Sequence, residues 1–346
     1  SSGVATPLHL SGEMFNRMAG TTMVHVPYRG AGPAMNDLIG GQVPVMFDKN
    51  VLPKKVNKDP KVDMIQTSAT GFYDGVTQQE VSDYYKALSA TQKTNAPMWG
   101  LNSRVVKVDG KVTEKTWKVG GMYDACISRI VGWLQKASNV AENPTQKKAI
   151  DALIAFYQTG DLKKFDEYNI AWVADSTSRV DFVNGFIEVY GDPLGYKGSY
   201  ESMVSIRDME ASKRIAAIGG SAQWFEDNSP LMPEHKKKNV KGISAKVITV
   251  VVESGDASPS TPIGVNLPNS NWIREQYGSK SVNLGNIVNA YNRAKGAGMV
   301  KEFYFSEEMR DRAMKYGVLC GNLHTDMHEV IGHASGQLNP GVAEPH

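Results

Sequence analysis

The chain has 346 residues, enough to bury a sizeable core and to form two domains or one two-lobed domain. Lysine and arginine total 38 against 36 for aspartate and glutamate, and the net charge of +2 predicts neither a nucleic-acid partner nor electrostatic attachment to membranes. The longest strongly apolar run, residues 247–252, is far shorter than the roughly 20 residues that span a bilayer, so we predict no transmembrane helix.

Residues 1 to about 48 are predicted to alternate helix, strand, helix and strand. Thr6 and Pro7 suit an N-cap and a first helical position, and apolar residues then recur at helical spacing up to Gly20. Strands at 22–28 and 43–47 are expected to flank a short second helix. The first helix N-terminus either binds a carboxylate or phosphate with its unpaired N–H groups or is simply well capped.

This segment resembles the substrate-binding proteins of tripartite tricarboxylate transporters. The similarity lies in ATPLHLSGEMFNRMAG and MVHVPYRGAGPAMNDLIGGQVPVMFD, and it is not recognisable after Asp48. In that family the loop before the first helix helps to hold a ligand carboxylate, which points to the neighbourhood of Thr6 and His9. The resemblance implies a fragment of a carboxylate-binding protein at residues 1–50, with an incomplete site.

The remaining sequence predicts a different mixture of helices and strands. Residues 77–80 (Thr-Gln-Gln-Glu) form a capping box that begins a helix running to about Ser89. Asp109 and Gly110 predict the tight turn of a hairpin within residues 104–119. Helices are also expected at 121–138, 144–159 and 201–217, and a buried strand at 246–253.

Histidines cluster near the end of the sequence, in LHTDMHEVIGH. His328 and His333 are five residues apart, whereas two zinc ligands on one face of a regular helix are four apart. Both side chains can therefore bind one metal only if the helix widens locally, as in a π-bulge, which Gly332 makes easier. His324 and His328 have the regular spacing and form a competing pair, and each histidine could instead be bonded separately within a core.

The resemblance that favours the five-residue pair is to dipeptidyl peptidase III, a family of metal-dependent exopeptidases that remove dipeptides from peptide N-termini. HEVIGHASGQL is similar to the HExxGH helix of that family. Three upstream segments also resemble the family in the same order: WVADSTSRVDFVNGFIEVYGDPLG (172–195), TPIGVNLPN (261–269) and VNLGN (282–286).

The resemblance implies that His328 and His333 are zinc ligands and that Glu329 activates water as a base. The family's third zinc ligand is a glutamate in a Glu-Glu-x-x-Ala-Asp motif downstream of the helix. No such motif follows Gly332, and Glu344 is the only later carboxylate side chain. We therefore expect zinc to be weakly held and the chain, being truncated, to be inactive.

The resemblance also implies a peptide-binding site. Asp181, Asn266 and Asn269 match positions that hold the free amino terminus of the substrate, and a carboxylate with two amide carbonyls suits an ammonium group. The two asparagines could instead belong to a structural turn around Pro268. Residues 263–265 would be an edge strand that pairs with the peptide backbone, and Gly264 would let that backbone come close.

The expected fold class is an α/β N-terminal fragment joined to an α+β two-lobed metallopeptidase fragment. A substrate-binding α/β lobe with a strongly bent barrel is implied at 51–200 and 246–294, and a mainly helical zinc lobe at 201–245 and 295–346. Three functions stay open: a zinc exopeptidase, a carboxylate-binding protein or a non-functional fusion. By resemblance the larger part is cytoplasmic and the smaller part periplasmic, and the sequence predicts no oligomeric state.

Overall fold

The structure of the chain, a computed structural model, describes residues 17, 22, 54–240, 243–258, 261–333, 335–337 and 339. The chain separates into two compact units, Ser1–Ala69 and Thr70–His346. In the first unit, residues 54–69 form turns in which the Asn57 amide donates to Ser68 Oγ at 2.7 Å. Apart from single positions, the helices and strands predicted between residues 6 and 47 lie outside the described residues, as do Thr6 and His9.

The second unit combines strands and helices along its whole length. Its strands are β1 (Tyr73–Asp74), β2 (Ser103–Val108), β3 (Lys111–Thr116), β4 (Val180–Glu188), β5 (Ser199–Arg207), β6 (Ile243–Gly255), β7 (Gly264–Leu267) and β8 (Ser279–Leu284). Its α-helices are α1 (Gln78–Thr91), α2 (Asp124–Ser138), α3 (Pro144–Thr159), α4 (Leu162–Ala174), α5 (Met209–Gly220), α6 (Ala222–Asp227), α7 (Asn271–Tyr277), α8 (Gly285–Phe303) and α9 (Glu307–Met327). A 3₁₀ turn, Pro233–His235, and a π-helical segment, His328–Gly332, complete the described elements.

The strands form two open sheets. One contains β1, β2 and β3, and the other has the order β4-β5-β6-β8-β7. In the larger sheet β6 and β8 run parallel, whereas the other neighbouring strands are antiparallel. The mixed α/β character is confirmed. The bent barrel is not seen among the described strands, because β4 and β7 are the two unpaired edges of the sheet.

Local sequence signals account for several of these elements. Glu80 N donates to Thr77 Oγ1 at 3.3 Å and Thr77 N donates to Glu80 Oε2 at 2.9 Å, so the predicted capping box is confirmed at the start of α1. The predicted hairpin is confirmed as β2 and β3, with φ of 48° at Asp109 and 78° at Gly110. The helices predicted at 121–138 and 144–159 are confirmed as α2 and α3.

The helix predicted over 201–217 is wrong in its first half. That sequence forms β5, which pairs with β4 on one side and β6 on the other. The helix α5 begins only after Asp208, whose Oδ1 accepts from the amides of Glu210 and Ala211. Because β5 lies between two strands, backbone pairing with both neighbours outweighs the helical spacing of its apolar residues.

Two apolar clusters position the elements that carry the candidate site. The larger cluster joins the helices α3 and α4 to the sheet through aromatic residues, including Phe156, Tyr157 and Trp172. In the smaller cluster, Ile215 of α5 and Val247 of β6 pack against Val330 of the π-helical segment. The π-helical segment is therefore anchored directly to the five-stranded sheet. No described helix is both long and apolar enough to cross a bilayer.

Candidate metal centre

The long helix α9 continues into a wider turn at the predicted metal site. Ser306 caps its start, where Ser306 Oγ accepts from the amide of Met309 at 3.2 Å. At its end the His333 amide donates to the carbonyl of His328 at 3.2 Å, an i→i+5 bond that defines a π-turn over His328–Gly332. The local widening predicted from the five-residue histidine spacing is confirmed.

The wide turn brings both imidazoles to the same side. The rings of His328 and His333 lie with centroids 5.0 Å apart and planes at 83°. One ligand atom from each of His328, Glu329 and His333 lies within 4.8 Å of the others. Among the described residues no other His, Cys, Asp or Glu joins this group, so His324 of the competing pair stands apart from it.

The carboxylate of Glu329 is buried without a full set of hydrogen-bond partners. Its residue exposure is 4%, and Oε2 makes no hydrogen bond within the described structure. Oε2 is 3.7 Å from His333 Nε2. Burial raises the pKa of Glu329 to about 7, and burial, His328 and Arg274 lower the pKa of His333. Two imidazoles beside a carboxylate oxygen without a hydrogen-bond partner are a donor set that fits a divalent cation.

Gly264 lies directly against this carboxylate. A Cβ atom at that position would lie 2.5 Å from Glu329 Cδ and 2.8 Å from Cγ, so no larger residue fits while Glu329 keeps its place. Gly264 is also the first residue of β7, the edge strand predicted from residues 263–265. The edge strand therefore begins beside the candidate base.

Asp181 was predicted to hold a substrate amino terminus, but the structure places it in an internal ion pair. Its Oδ2 accepts from Lys280 Nζ at 2.8 Å, and its Oδ1 accepts from Trp172 Nε1 at 2.9 Å. Lys246 Nζ is 4.0 Å away. Both carboxylate oxygens are thus engaged, one by Trp172 of α4 and one by Lys280 of β8, and a substrate ammonium group would have to displace Lys280.

The two predicted asparagines lie at and beyond the end of β7. Asn266 Nδ2 donates to Ser281 Oγ at 2.5 Å, while the buried Oδ1 of Asn266 has no hydrogen-bond partner in the described structure. Asn269 Nδ2 donates to Glu188 Oε1 at 3.3 Å. Burial raises the pKa of Glu188, as expected for a half-buried carboxylate. Glu188 was not predicted, although it ends a strand within the segment 172–195 that carries the family resemblance.

The contact between Gly264 and Glu329 predicts a destabilised Gly264→Ala variant. We expect the free energy of unfolding to fall by about 1–3 kcal/mol, because the new methyl group must displace a buried side chain. Gly132→Ala is the matched control, since a Cβ there meets no atom within 4 Å and alanine favours a helix. Denaturant midpoints measure both changes. Equal stability of Gly264→Ala and the wild type would contradict the contact.

Because the pKa of Glu329 is raised, we predict that Glu329→Gln stabilises the chelator-treated protein by an amount that depends on pH. An unfolded glutamate titrates near 4.5 and the folded one near 7, so ionisation destabilises the fold increasingly between those values and fully above pH 7. Glu329→Gln should therefore be more stable than the wild type at pH 8, on the order of 1 kcal/mol, and equal to it near pH 4. Glu302→Gln, at an exposed helical position, serves as the control. If Glu329→Gln raised the free energy of unfolding equally at pH 8 and pH 4, the result would argue against a buried carboxylate at this position.

Comparison with known proteins divides the sequence near residue 60. Residues 1–60 match the tripartite tricarboxylate transporter family receptor, and a UPF0065 protein of Pseudomonas sp. (strain P51) is 39% identical over 62 residues, 16% of this chain and 18% of that protein. Dipeptidyl peptidase 3 of Nematostella vectensis is 28% identical over 218 residues, 63% of this chain and 29% of that protein. The chain thus spans less than a third of the length of that curated relative.

The fold agrees with the similarity to dipeptidyl peptidase 3. The structure of DPP III from Caldithrix abyssi superposes with a TM-score of 0.65 at 24% identity, covering 88% of this chain and 59% of that one. The matching family description, Peptidase family M49, extends over residues 62–342. Because that match includes most of the 346 residues, the chain belongs to Peptidase family M49.

Proposed function

We propose that this chain carries the metal-binding and water-activating residues of a zinc-dependent exopeptidase of the dipeptidyl peptidase III type, which releases dipeptides from the N-terminus of peptides. The expectation from the sequence that the chain itself is inactive is tested by the turnover assay below. The observation that carries the proposal is the π-turn, which brings His328 and His333 together around the unpartnered oxygen of Glu329. A buried carboxylate with an unpaired oxygen beside two imidazoles has little structural value, because its desolvation is not compensated.

The histidines would hold the metal, and the glutamate would handle the proton. Zinc bound by His328 and His333 would supply the Lewis acidity that polarises a peptide carbonyl and acidifies water. Glu329 would accept the proton of the attacking water and pass it to the leaving amine. A pKa near 7 suits this role, since a general base works best when its pKa lies close to the working pH. Burial of Glu329 keeps bulk water from competing for that proton.

The edge strand would align the substrate. A peptide paired antiparallel with β7 would have its reacting carbonyl near Gly264 and its N-terminus toward Asn266 and Asn269. Two residues along a strand span about 7 Å, so Asn266 lies one dipeptide length from Gly264. The free Oδ1 of Asn266 would accept a hydrogen bond from the substrate ammonium group. This spacing supports release of dipeptides.

Glu188 is the carboxylate that we assign to the substrate ammonium group. It bonds to Asn269 at the distal end of this path and has no lysine partner among the described residues. Asp181, predicted for the same role, is neutralised by Lys280. We therefore propose that Asp181 and Lys280 support the sheet beneath the substrate while Glu188 recognises its charge.

The proposed ligands predict the pattern of zinc uptake. We expect His328→Ala and His333→Ala to abolish zinc binding, because each removes one of two imidazole donors. His324→Ala is the matched control on the preceding helical turn and should bind zinc as the wild type does. Titration against a competing chelator measures the affinity, which should be weaker than at a site with three protein ligands. Equal loss in His324→Ala would favour the regularly spaced pair.

Turnover tests the base and the recognition of the substrate. Glu329→Gln should retain zinc but lower the rate of dipeptide release by about 10²-fold or more, the contribution typical of a general base. Glu188→Gln should mainly raise KM, since it removes charge recognition, whereas Glu167→Gln on an exposed face of α4 should change neither constant. A chromogenic dipeptidyl amide serves as substrate. Undiminished release by Glu329→Gln would contradict the proposed mechanism.

A further inference from the structure

Asp326 lies two residues before His328 and is completely buried, with an exposure of 0%. Its Oδ2 accepts from Arg214 Nε at 2.7 Å, and its Oδ1 accepts from Asn283 Nδ2 at 2.6 Å. Arg214 belongs to α5 and Asn283 to β8. One carboxylate therefore connects the last turn of α9 to two elements that come from distant parts of the sequence.

Two further contacts hold the π-turn against the five-stranded sheet and α5. Ser281 Oγ donates to the carbonyl of Glu329 at 2.6 Å, and Val330, with an exposure of 0%, packs against Ile215 and Val247. A π-turn is a rare departure from the regular helix and is less stable by itself. The surrounding contacts thus determine where this wide turn forms and how it faces the sheet.

Asp326 does not belong to the group of metal-ligand atoms, and both of its oxygens are already bonded. This arrangement argues against a metal held by His324, Asp326 and His328. A buried ion pair generally adds little stability compared with apolar residues of similar size. The directional hydrogen bonds of Asp326 instead fix the rotation of α9 about its axis. A rotation of about 10° moves an atom about 6 Å from the helix axis by roughly 1 Å, enough to spoil a metal site.

We propose that Asp326 is a positioning residue for the metal centre: the brace formed by Arg214, Asp326 and Asn283 sets the rotation of the helix and holds the π-turn that presents His328 and His333. The expected consequence of this brace is tighter zinc binding, and that part of the inference rests on the proposed function. Its structural part, the formation of the turn, is independent of any metal. Asp326 acts through the helix and not through contact with metal or substrate.

A pair of substitutions isolates the brace. Asp326→Asn places an amide N–H₂ group against one of two donors, Arg214 Nε or Asn283 Nδ2, and so breaks one bond while keeping the size of the side chain. Adding Arg214→Gln restores an acceptor, because the Gln Oε1 atom is as many bonds from Cα as the Arg Nε atom. The double variant should therefore regain the hydrogen bond between residues 214 and 326 that Asp326→Asn loses.

Ser212→Ala is the control for a general loss of stability around α5 and the five-stranded sheet. Ser212 is also buried on α5, but its hydroxyl bonds to the backbone of Val247 at 3.1 and 3.2 Å and not to the turn. It therefore removes a comparable anchor from the same helix. Two readouts are compared across the variants: amide hydrogen exchange at His333 in chelator-treated protein, and zinc affinity by chelator competition.

We expect Asp326→Asn to accelerate exchange at His333 and to weaken zinc binding about 10- to 100-fold, the range typical of lost outer-shell contacts. The double variant should restore both, and Ser212→Ala should change neither beyond its effect on global stability. Wild-type exchange at His333 in Asp326→Asn would overturn the brace, as would equal effects in Ser212→Ala. A wild-type chain that takes up no zinc would overturn the proposed function, while exchange at His333 would still decide the brace.

Discussion

The hydrogen bond from the His333 amide to the His328 carbonyl is the contact on which the candidate site depends. In a regular helix, side chains five residues apart point about 140° away from each other. The extra residue in the π-turn removes that divergence and leaves the rings 5.0 Å apart. Such a turn persists only where its surroundings favour it. Here the hydrogen bond from Ser281 to the Glu329 carbonyl, the buried side chain of Val330 and the ion pair of Asp326 with Arg214 provide that support.

The buried carboxylates differ in whether they have basic partners. Asp181 and Asp326 each have a basic partner and a second donor, so their desolvation is offset and they connect distant elements. Glu329 is equally buried, yet one of its oxygens has no partner within the described structure. Glu188 is bonded to an asparagine at the other end of the edge strand. Neither Glu329 nor Glu188 has a lysine or arginine partner among the described residues, and both contact residues at or just beyond the ends of β7.

Membership of Peptidase family M49 and this distribution of charge point to the same chemistry. Under the proposed function, the edge strand would offer a backbone template that does not depend on substrate side chains. The first 60 residues match a different family, a receptor of tricarboxylate transporters, whereas His328, Glu329 and His333 lie within the residues matched by Peptidase family M49. These three residues belong to the second compact unit.

The sequence by itself determined the features that depend on a few neighbouring residues. The capping box at 77–80 and the hairpin turn at 109–110 follow from local backbone requirements, and the spacing of His328 and His333 predicted a widened helix on the condition that both bind one metal. The tertiary structure decided the rest. Residues 199–207 are a strand because two other strands flank them, and Asp181 is an internal anchor because Lys280, distant in sequence, lies beside it. Long-range partners compensate buried charges and backbone groups, and no local pattern identifies which segment will supply them.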